Sequence, residues 1–254
     1  MPETSGVGFS RPSKRITLLN YKGGCGKTLI AVNVAGYYAL KGYKTTLIDH
    51  DRQGSAMHWL ALRDRTAPAI HGINAGKHVS YETRTWQLHV PPDTERVVVD
   101  SPAGLHGHDL EELVQKSDII LVPVLPSEVD IHAAAAFIGD LLLDGRLRHA
   151  RASVGVIANR VRANTRVYES LKRFLSKLDF PMIAELRDTQ NYLRAAERGL
   201  SIHDIRPATK VQRDVDDWAP LVEWLERPER QAPTAINSAG GGTRMRVIDG
   251  GRDN

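Results

Sequence analysis

Between Asn20 and Leu29 the chain reads NYKGGCGKTL, with two lysines, Lys22 and Lys27, set around Gly23, Gly24 and Gly26. The stretch follows a short apolar run, RITLLN, and leads into a segment with helical spacing. Glycines let backbone N–H groups curl around a phosphate, a helix N-terminus adds partial positive charge, and a lysine reaches the terminal phosphates of a nucleotide. On this reading Gly23, Gly24, Cys25, Gly26, Lys27, Thr28 and Leu29 cradle the phosphates, and the Thr28 hydroxyl holds Mg²⁺. The usual spacing G-x-x-x-x-G-K-[ST] would put glycine at position 21, where Tyr21 stands. A variant loop is implied, and its second lysine needs a role of its own. Cys25, the single cysteine of the chain, is expected to be a small residue packed on the loop rather than a reactive thiol.

Further polar groups fall at the ends of apolar runs. KTTLID ends in Asp49 and continues DHDRQGSA, so Asp49 and Asp51 flank His50. RVVVD ends in Asp100 and continues SPAG. Carboxylates at the ends of parallel strands face the crevice into which phosphate loops open. SVGVIAN ends in Asn159, whose amide offers both a donor and an acceptor; closing a strand into a turn is its alternative role. His106 and His108 form an H-x-H pair without further ligands in view, and are expected to be mobile loop residues.

Those residues need a scaffold. The runs RITLLN, KTTLID, RVVVD, DIILVPV and SVGVIAN are short and nearly continuous in apolar residues, the pattern of strands buried on both faces of a parallel sheet. Segments with helical spacing fall at Thr28 to Lys41, Val129 to Leu143, Arg166 to Lys177 and Thr189 to Arg198. A last helix, from about Val211 to Leu225, carries Val215, Trp218, Leu221, Val222 and Leu225 on one face. Strand and helix alternate, which predicts an α/β fold: a doubly wound, mostly parallel sheet with helices on both faces. Trp59 is expected in the core.

A chain of 254 residues with 41% hydrophobic content fits one large domain, expected over residues 14–227. Residues 1–13 are expected to be a flexible N-terminus too short for a DNA-reading domain. Residues 228–254, rich in Gly, Pro and polar residues, are expected to be a flexible tail. One cysteine excludes an internal disulfide framework, and no apolar run is long enough to span a bilayer, so a cytoplasmic protein is expected.

KGGCGKT resembles the deviant Walker A motif, K-G-G-x-G-K-[ST], of the ParA/MinD family of ATPases, and the resemblance extends in order from about Lys14 to Glu226. It implies a P-loop NTPase fold and Mg²⁺-dependent ATP hydrolysis. Lys27 would serve the ATP of its own subunit, while Lys22 would cross a dimer interface to phosphate bound by the other. Two nucleotides facing each other across a twofold axis repel, and reciprocal lysines offset that repulsion. Asp51 matches the second Asp of the family's D-x-D-P-Q segment, implying that it positions or deprotonates the attacking water beside the metal; Arg52 replaces the proline. Asp100 matches the Walker B carboxylate, implying contact with Mg²⁺ through a water. Asn159 matches the residue whose amide contacts adenine. Leu29 departs from the usual Ser or Thr, and the turn and helix in LPSEVDIHAAAA resemble elements that help form the dimer face.

The net charge is +4. Beyond Leu143 basic residues thicken: Arg146, Arg148, Arg151, Arg160, Arg162, Arg166, Lys172, Arg173 and Lys177, then Arg187, Arg194, Arg198, Arg206, Lys210 and Arg213. The resemblance implies that such residues bind double-stranded DNA without sequence preference once ATP has formed the homodimer, and such binding is salt-sensitive. The expected function is a nucleoid-associated positioning or partition ATPase, released from DNA when a cargo-linked adaptor protein stimulates hydrolysis. The cargo would be a plasmid, a chromosome region or a protein organelle such as a carboxysome. A membrane-cycling ATPase of the MinD type is the alternative, but the tail lacks an apolar helical face, so no membrane partner is expected. A metabolic ATP-dependent enzyme on the same scaffold would need a second constellation of site residues, and the nitrogenase-reductase branch needs two cysteines per subunit.

Overall fold

Alternation along the strands explains the layers. The computed structural model describes residues 13–76, 89–143, 152–177 and 180–227. The two expected flexible ends, apart from Ser13, lie outside those residues, as do Arg146, Arg148 and Arg151. Ile16, Leu18, Val98, Leu121 and Ile157 point to one face of a sheet; Val97, Val99, Ile120, Val122, Val156 and Ala158 point to the other. Each set forms its own core, so each face needs a helical cover. Two pairs of buried hydroxyls inside this apolar stack satisfy each other: Thr17 with Ser117 at 2.6 Å, and Thr46 with Thr94 at 2.9 Å.

The strands are β1 (Lys14–Leu18), β2 (Thr45–Asp49), β3 (His71–Asn74), β4 (Arg96–Asp100), β5 (Ile119–Val124), β6 (Ser153–Val161) and β7 (Met182–Arg187). They pair in the order β3-β2-β4-β1-β5-β6-β7, every pair parallel. The helices are α1 (Lys27–Leu40), α2 (Ser55–Leu62), α3 (Gly107–Gln115), α4 (Glu128–Leu143), α5 (Arg166–Leu175), α6 (Asn191–Ala196) and α7 (Gln212–Glu226). The core of α1, α2 and α7 includes Tyr38, Trp59, Trp218 and Leu221; the opposite core, under α3, α4 and α5, includes Leu110, Phe137 and Leu171. Trp59 is 4% exposed, and its indole N–H donates to the Leu200 carbonyl, as a core residue should.

From β1 the chain crosses to β2 on one side, and β5 lies on the other. A crevice therefore opens beyond the C-terminal end of β1, between β4 and β5, and the phosphate loop rises into it. Register aligns the ends of three strands there: Leu18 pairs with Asp100, and Asp49 pairs with Asp100.

Candidate nucleotide site

The loop between β1 and α1 is held from several directions. Asn20 Nδ2 donates to the Pro123 carbonyl at 2.7 Å, and its Oδ1 accepts from the Lys22 N–H at 3.0 Å. Lys27 is buried, its ammonium donating to the carbonyls of Asn20 (3.1 Å) and Lys22 (3.0 Å). Gly24 and Gly26 have φ of 77° and 99°, a backbone conformation that requires glycine at the mouth of α1. Cys25 is fully buried with its thiol on the Lys22 carbonyl, and burial raises its pKa, so it is the packed small residue that the sequence predicts. Lys22 is half-buried at the outer turn of the loop.

Tyr21, at the position where a common loop has glycine, is an anchor. Its carbonyl accepts from Gly104 N–H at 2.9 Å and its hydroxyl donates to Asp140 of α4 at 2.8 Å. Its ring lies 4.2 Å from His106 and 4.8 Å from Phe137. The phosphate loop, the segment after Asp100 and α4 thus meet at one side chain. His106 is a loop residue, as expected, and His108 is not. His106 packs against Tyr21 immediately before α3, and His108 lies in the first turn of α3. The signal for α3 was present in Leu110, Leu113 and Val114, at helical spacing.

The two aspartates after β2 divide their work. Asp49 is fully buried; one oxygen accepts from the N–H groups of Ala56 (2.9 Å) and Met57 (3.1 Å), capping α2, and the other accepts from Asp51 N–H at 3.0 Å. Burial raises its pKa, and those three N–H groups pull it back. Asp51 is half-buried, turned by its bond to Gln53 N–H (2.9 Å), and its main chain is pressed against Gly76, where a Cβ would meet the Asp51 carbonyl oxygen at 2.2 Å. The sequence offers a helix cap only as the alternative role of this aspartate pair, and gives no sign of Gly76 as a wall.

Asp100 is fully buried, and neither carboxylate oxygen has a hydrogen-bond partner. Its pKa is pushed up to about 7: burial is the main cause, Thr28 and Lys27 lower it, and Asp49 and Asp51 raise it. Lys27 and Thr28 offset only part of the cost of an anion placed this way. Asp100, Thr28 and Asp51 fit a hydrated divalent ion; among the described residues no group of three or more His, Cys, Asp or Glu could hold a metal alone, so nucleotide phosphates would complete the shell. Mg²⁺ bound there would neutralise phosphate charge.

The structure therefore brings Lys27, Thr28, Asp49, Asp51 and Asp100 together. Asn159 joins from β6 at another point: it is 2% exposed, with Nδ2 donating to the Cys25 carbonyl at 2.8 Å and Oδ1 accepting from Arg160 N–H at 3.0 Å. Of the basic residues, Arg187 is an internal ion-pair partner of buried Asp214 (2.6 Å) and of Asp217 (3.3 Å) and is not part of a basic surface. Arg162 pairs with Asp188 and Lys172 with Glu169. Arg160, Arg166, Arg173, Lys177, Arg194, Arg198, Arg206, Lys210 and Arg213 are exposed. No helix among the described residues is long and apolar enough to cross a membrane.

Comparison with known proteins bears on the fold and the family. The chain is 30% identical over 222 residues to maintenance of carboxysome distribution protein A of Gloeobacter kilaueensis, covering 85% of this chain and 95% of that protein. A protein of the same name from Halothiobacillus neapolitanus is 26% identical over 191 residues, 75% of this chain and 87% of that one. The fold is shared with the ATP complex of a Cyanothece McdA variant, at a TM-score of 0.61 and 14% identity over 83% of this chain and 96% of that one. A model of the CobQ/CobB/MinD/ParA nucleotide binding domain matches residues 16–202, a span that takes in the phosphate loop, Asp51, Asp100 and Asn159, and the chain belongs to that family.

Proposed function

We propose that this protein is a Mg²⁺-dependent positioning ATPase that closes into a homodimer around two ATP molecules, binds double-stranded DNA without sequence preference in that state, and leaves it on hydrolysis. Lys27 contacts the phosphates of its own ATP, and Lys22 reaches across the interface to the other. Asp51, fixed by Gln53 and Gly76, aligns the attacking water, while Asp100 and Thr28 face the metal. The observation that carries the reading is the buried Asp100 carboxylate beside the phosphate loop, a charge that Lys27 and Thr28 offset only in part. Relatives named for carboxysome distribution support a cargo-positioning role, with an adaptor on the cargo stimulating hydrolysis. A cytoplasmic, nucleoid-associated location follows from this reading.

The test is retention of the protein on non-specific duplex DNA with ATP, ADP or no nucleotide, across a salt series, for the native chain and Lys22→Ala. The reading expects retention only with ATP, falling as salt rises, and lost in Lys22→Ala. Retention that ignores nucleotide, or none at all while ATP still drives dimerisation, overturns the DNA-linked cycle.

A further inference from the structure

We infer that residues 199–204 form a junction that carries the nucleotide state of the site to the exposed basic residues on either side of it, with Asn33 and the buried Arg63–Asp204 pair as its positioning residues. The inference rests on the reading of Gly23 to Thr28 as a phosphate loop. Two helices begin at the site: α1 directly after the loop, and α2 after the Asp51 turn, capped by Asp49. Both grip this one segment further along. From α1, Asn33 Oδ1 accepts from Ile202 N–H at 2.7 Å while its Nδ2 donates to the Leu29 carbonyl at 2.7 Å. A Cβ on Gly36 of α1 would lie 2.5 Å from Ser201 Cβ, so helix and segment touch there. From the end of α2, Arg63 donates to both oxygens of Asp204, at 2.9 and 3.2 Å, and to the Gly199 carbonyl at 3.1 Å. Gly199 has φ of 63°, and a Cβ on it would meet the Arg63 main-chain nitrogen at 2.3 Å.

These ties are interior. The Arg63 and Asp204 side chains are 4% and 5% exposed, and Asn33 is 2% exposed. Asp204 also accepts from the Ser201 N–H (2.9 Å) and hydroxyl (2.6 Å), which closes the 3₁₀ turn Ile202–Asp204 on itself. A shift of α1 or α2 as the site fills therefore moves this segment or breaks buried charged contacts, and a close-packed interior transmits such a shift rather than absorbing it. The chain leaves the junction into exposed charge in both directions, with Arg194 and Arg198 before it and Arg206, Lys210 and Arg213 after it. The basic residues of α5, Arg166 and Arg173, belong to a helix that packs through Tyr168 and Leu171 into the opposite core, away from α1 and α2.

Amide hydrogen exchange of the full-length protein, with and without Mg-ATP, reads the junction directly. In native protein Mg-ATP should slow exchange at residues 23–28 and, about tenfold, at residues 200–204. Asn33→Ala cuts the α1 tie. Arg63→Met together with Asp204→Asn cuts the α2 tie and removes both charges, so neither is left buried alone. Each should keep the protection of residues 23–28 and lose most of that at residues 200–204, and either serves if the other folds poorly. Leu171→Ala, a core deletion on α5 that lowers global stability, should keep both. A partner subunit lying over the segment would protect it in the variants as well, since the altered side chains are interior. Protection of the loop without residues 200–204 in native protein overturns the junction. So does native protection of that segment in either folded variant, or an equal loss in Leu171→Ala. No protection at either place overturns the phosphate-loop reading and the junction with it. On duplex DNA the same variants should show a preference for ATP over ADP reduced about tenfold. An undiminished preference overturns the link to the basic residues, whereas a native protein that binds no duplex in any state counts against the DNA-linked cycle while exchange still judges the junction.

Discussion

Replacing Asp100 by asparagine should make the nucleotide-free protein more stable, although Asp100 lies in the centre of the site. The side chain is fully buried, both oxygens are unpartnered, and its pKa is raised from 3.8 to about 7. A folded state that holds a proton more tightly than the unfolded chain loses stability as pH rises through the interval between the two values. For Asp100 that interval runs from about pH 4 to about pH 7, and above it the full cost is present. At about 1.4 kcal/mol per tenfold change, the cost at pH 8 is on the order of 2–4 kcal/mol after relaxation. His203 works in the opposite direction, because burial holds its pKa down to about 4 and stability contributed by its neutral form is lost as pH falls below 6.5. The informative quantity is therefore the difference between Asp100→Asn and native protein at each pH, taken from urea unfolding in chelator. That difference should be near zero at pH 4 and favour the variant by on the order of 2–4 kcal/mol at pH 8. Mg-ATP should then stabilise native protein and leave the variant almost unaffected. A variant less stable than native at pH 8 would mean that Asp100 is a structural acceptor, and the account of the metal site would fail.

Two further expectations test neighbouring parts of the account. Gly76→Ala pushes a Cβ into the Asp51 carbonyl, at 2.2 Å, and so displaces the Asp51 turn; hydrolysis should fall on the order of tenfold to a hundredfold with ATP affinity nearly kept, as turnover and equilibrium binding will show. Arg187→Ala leaves the fully buried Asp214 without its cation and should lower stability by about 3 kcal/mol or more in thermal or urea unfolding, whereas Arg194→Ala, exposed on α6, should leave stability within about 0.5 kcal/mol.

Central strands were legible because both their faces are buried, and continuous apolar runs such as IILVPV have few other uses. Edge strands were not. In β3 only Ile73 is buried, and in β7 exposed Glu185 and ion-paired Arg187 interrupt the apolar run, so neither stands out by composition. The last helix was legible from Trp218, Leu221 and Leu225, all buried where the spacing puts them. At the site, motif spacing identified the lysines and the strand-end aspartates. It could not show that Asp49 caps α2, that Tyr21 ties the loop to α4, or that Asn159 turns onto Cys25, because each is a contact between segments far apart in sequence. Arg187 illustrates the converse: its charge was visible, but the buried partner that removes it from the surface was not.

The central claim is that two lysines on one loop serve two different nucleotides. Its most direct test is the solution mass, by light scattering, of native protein and Lys22→Ala with ATP, ADP and no nucleotide, with ATP affinity measured alongside. The account expects native protein to double its mass with ATP alone, and Lys22→Ala to bind ATP yet remain at the monomer mass. A Lys22→Ala protein that still dimerises fully with ATP, or a native protein whose mass ignores nucleotide, would contradict it.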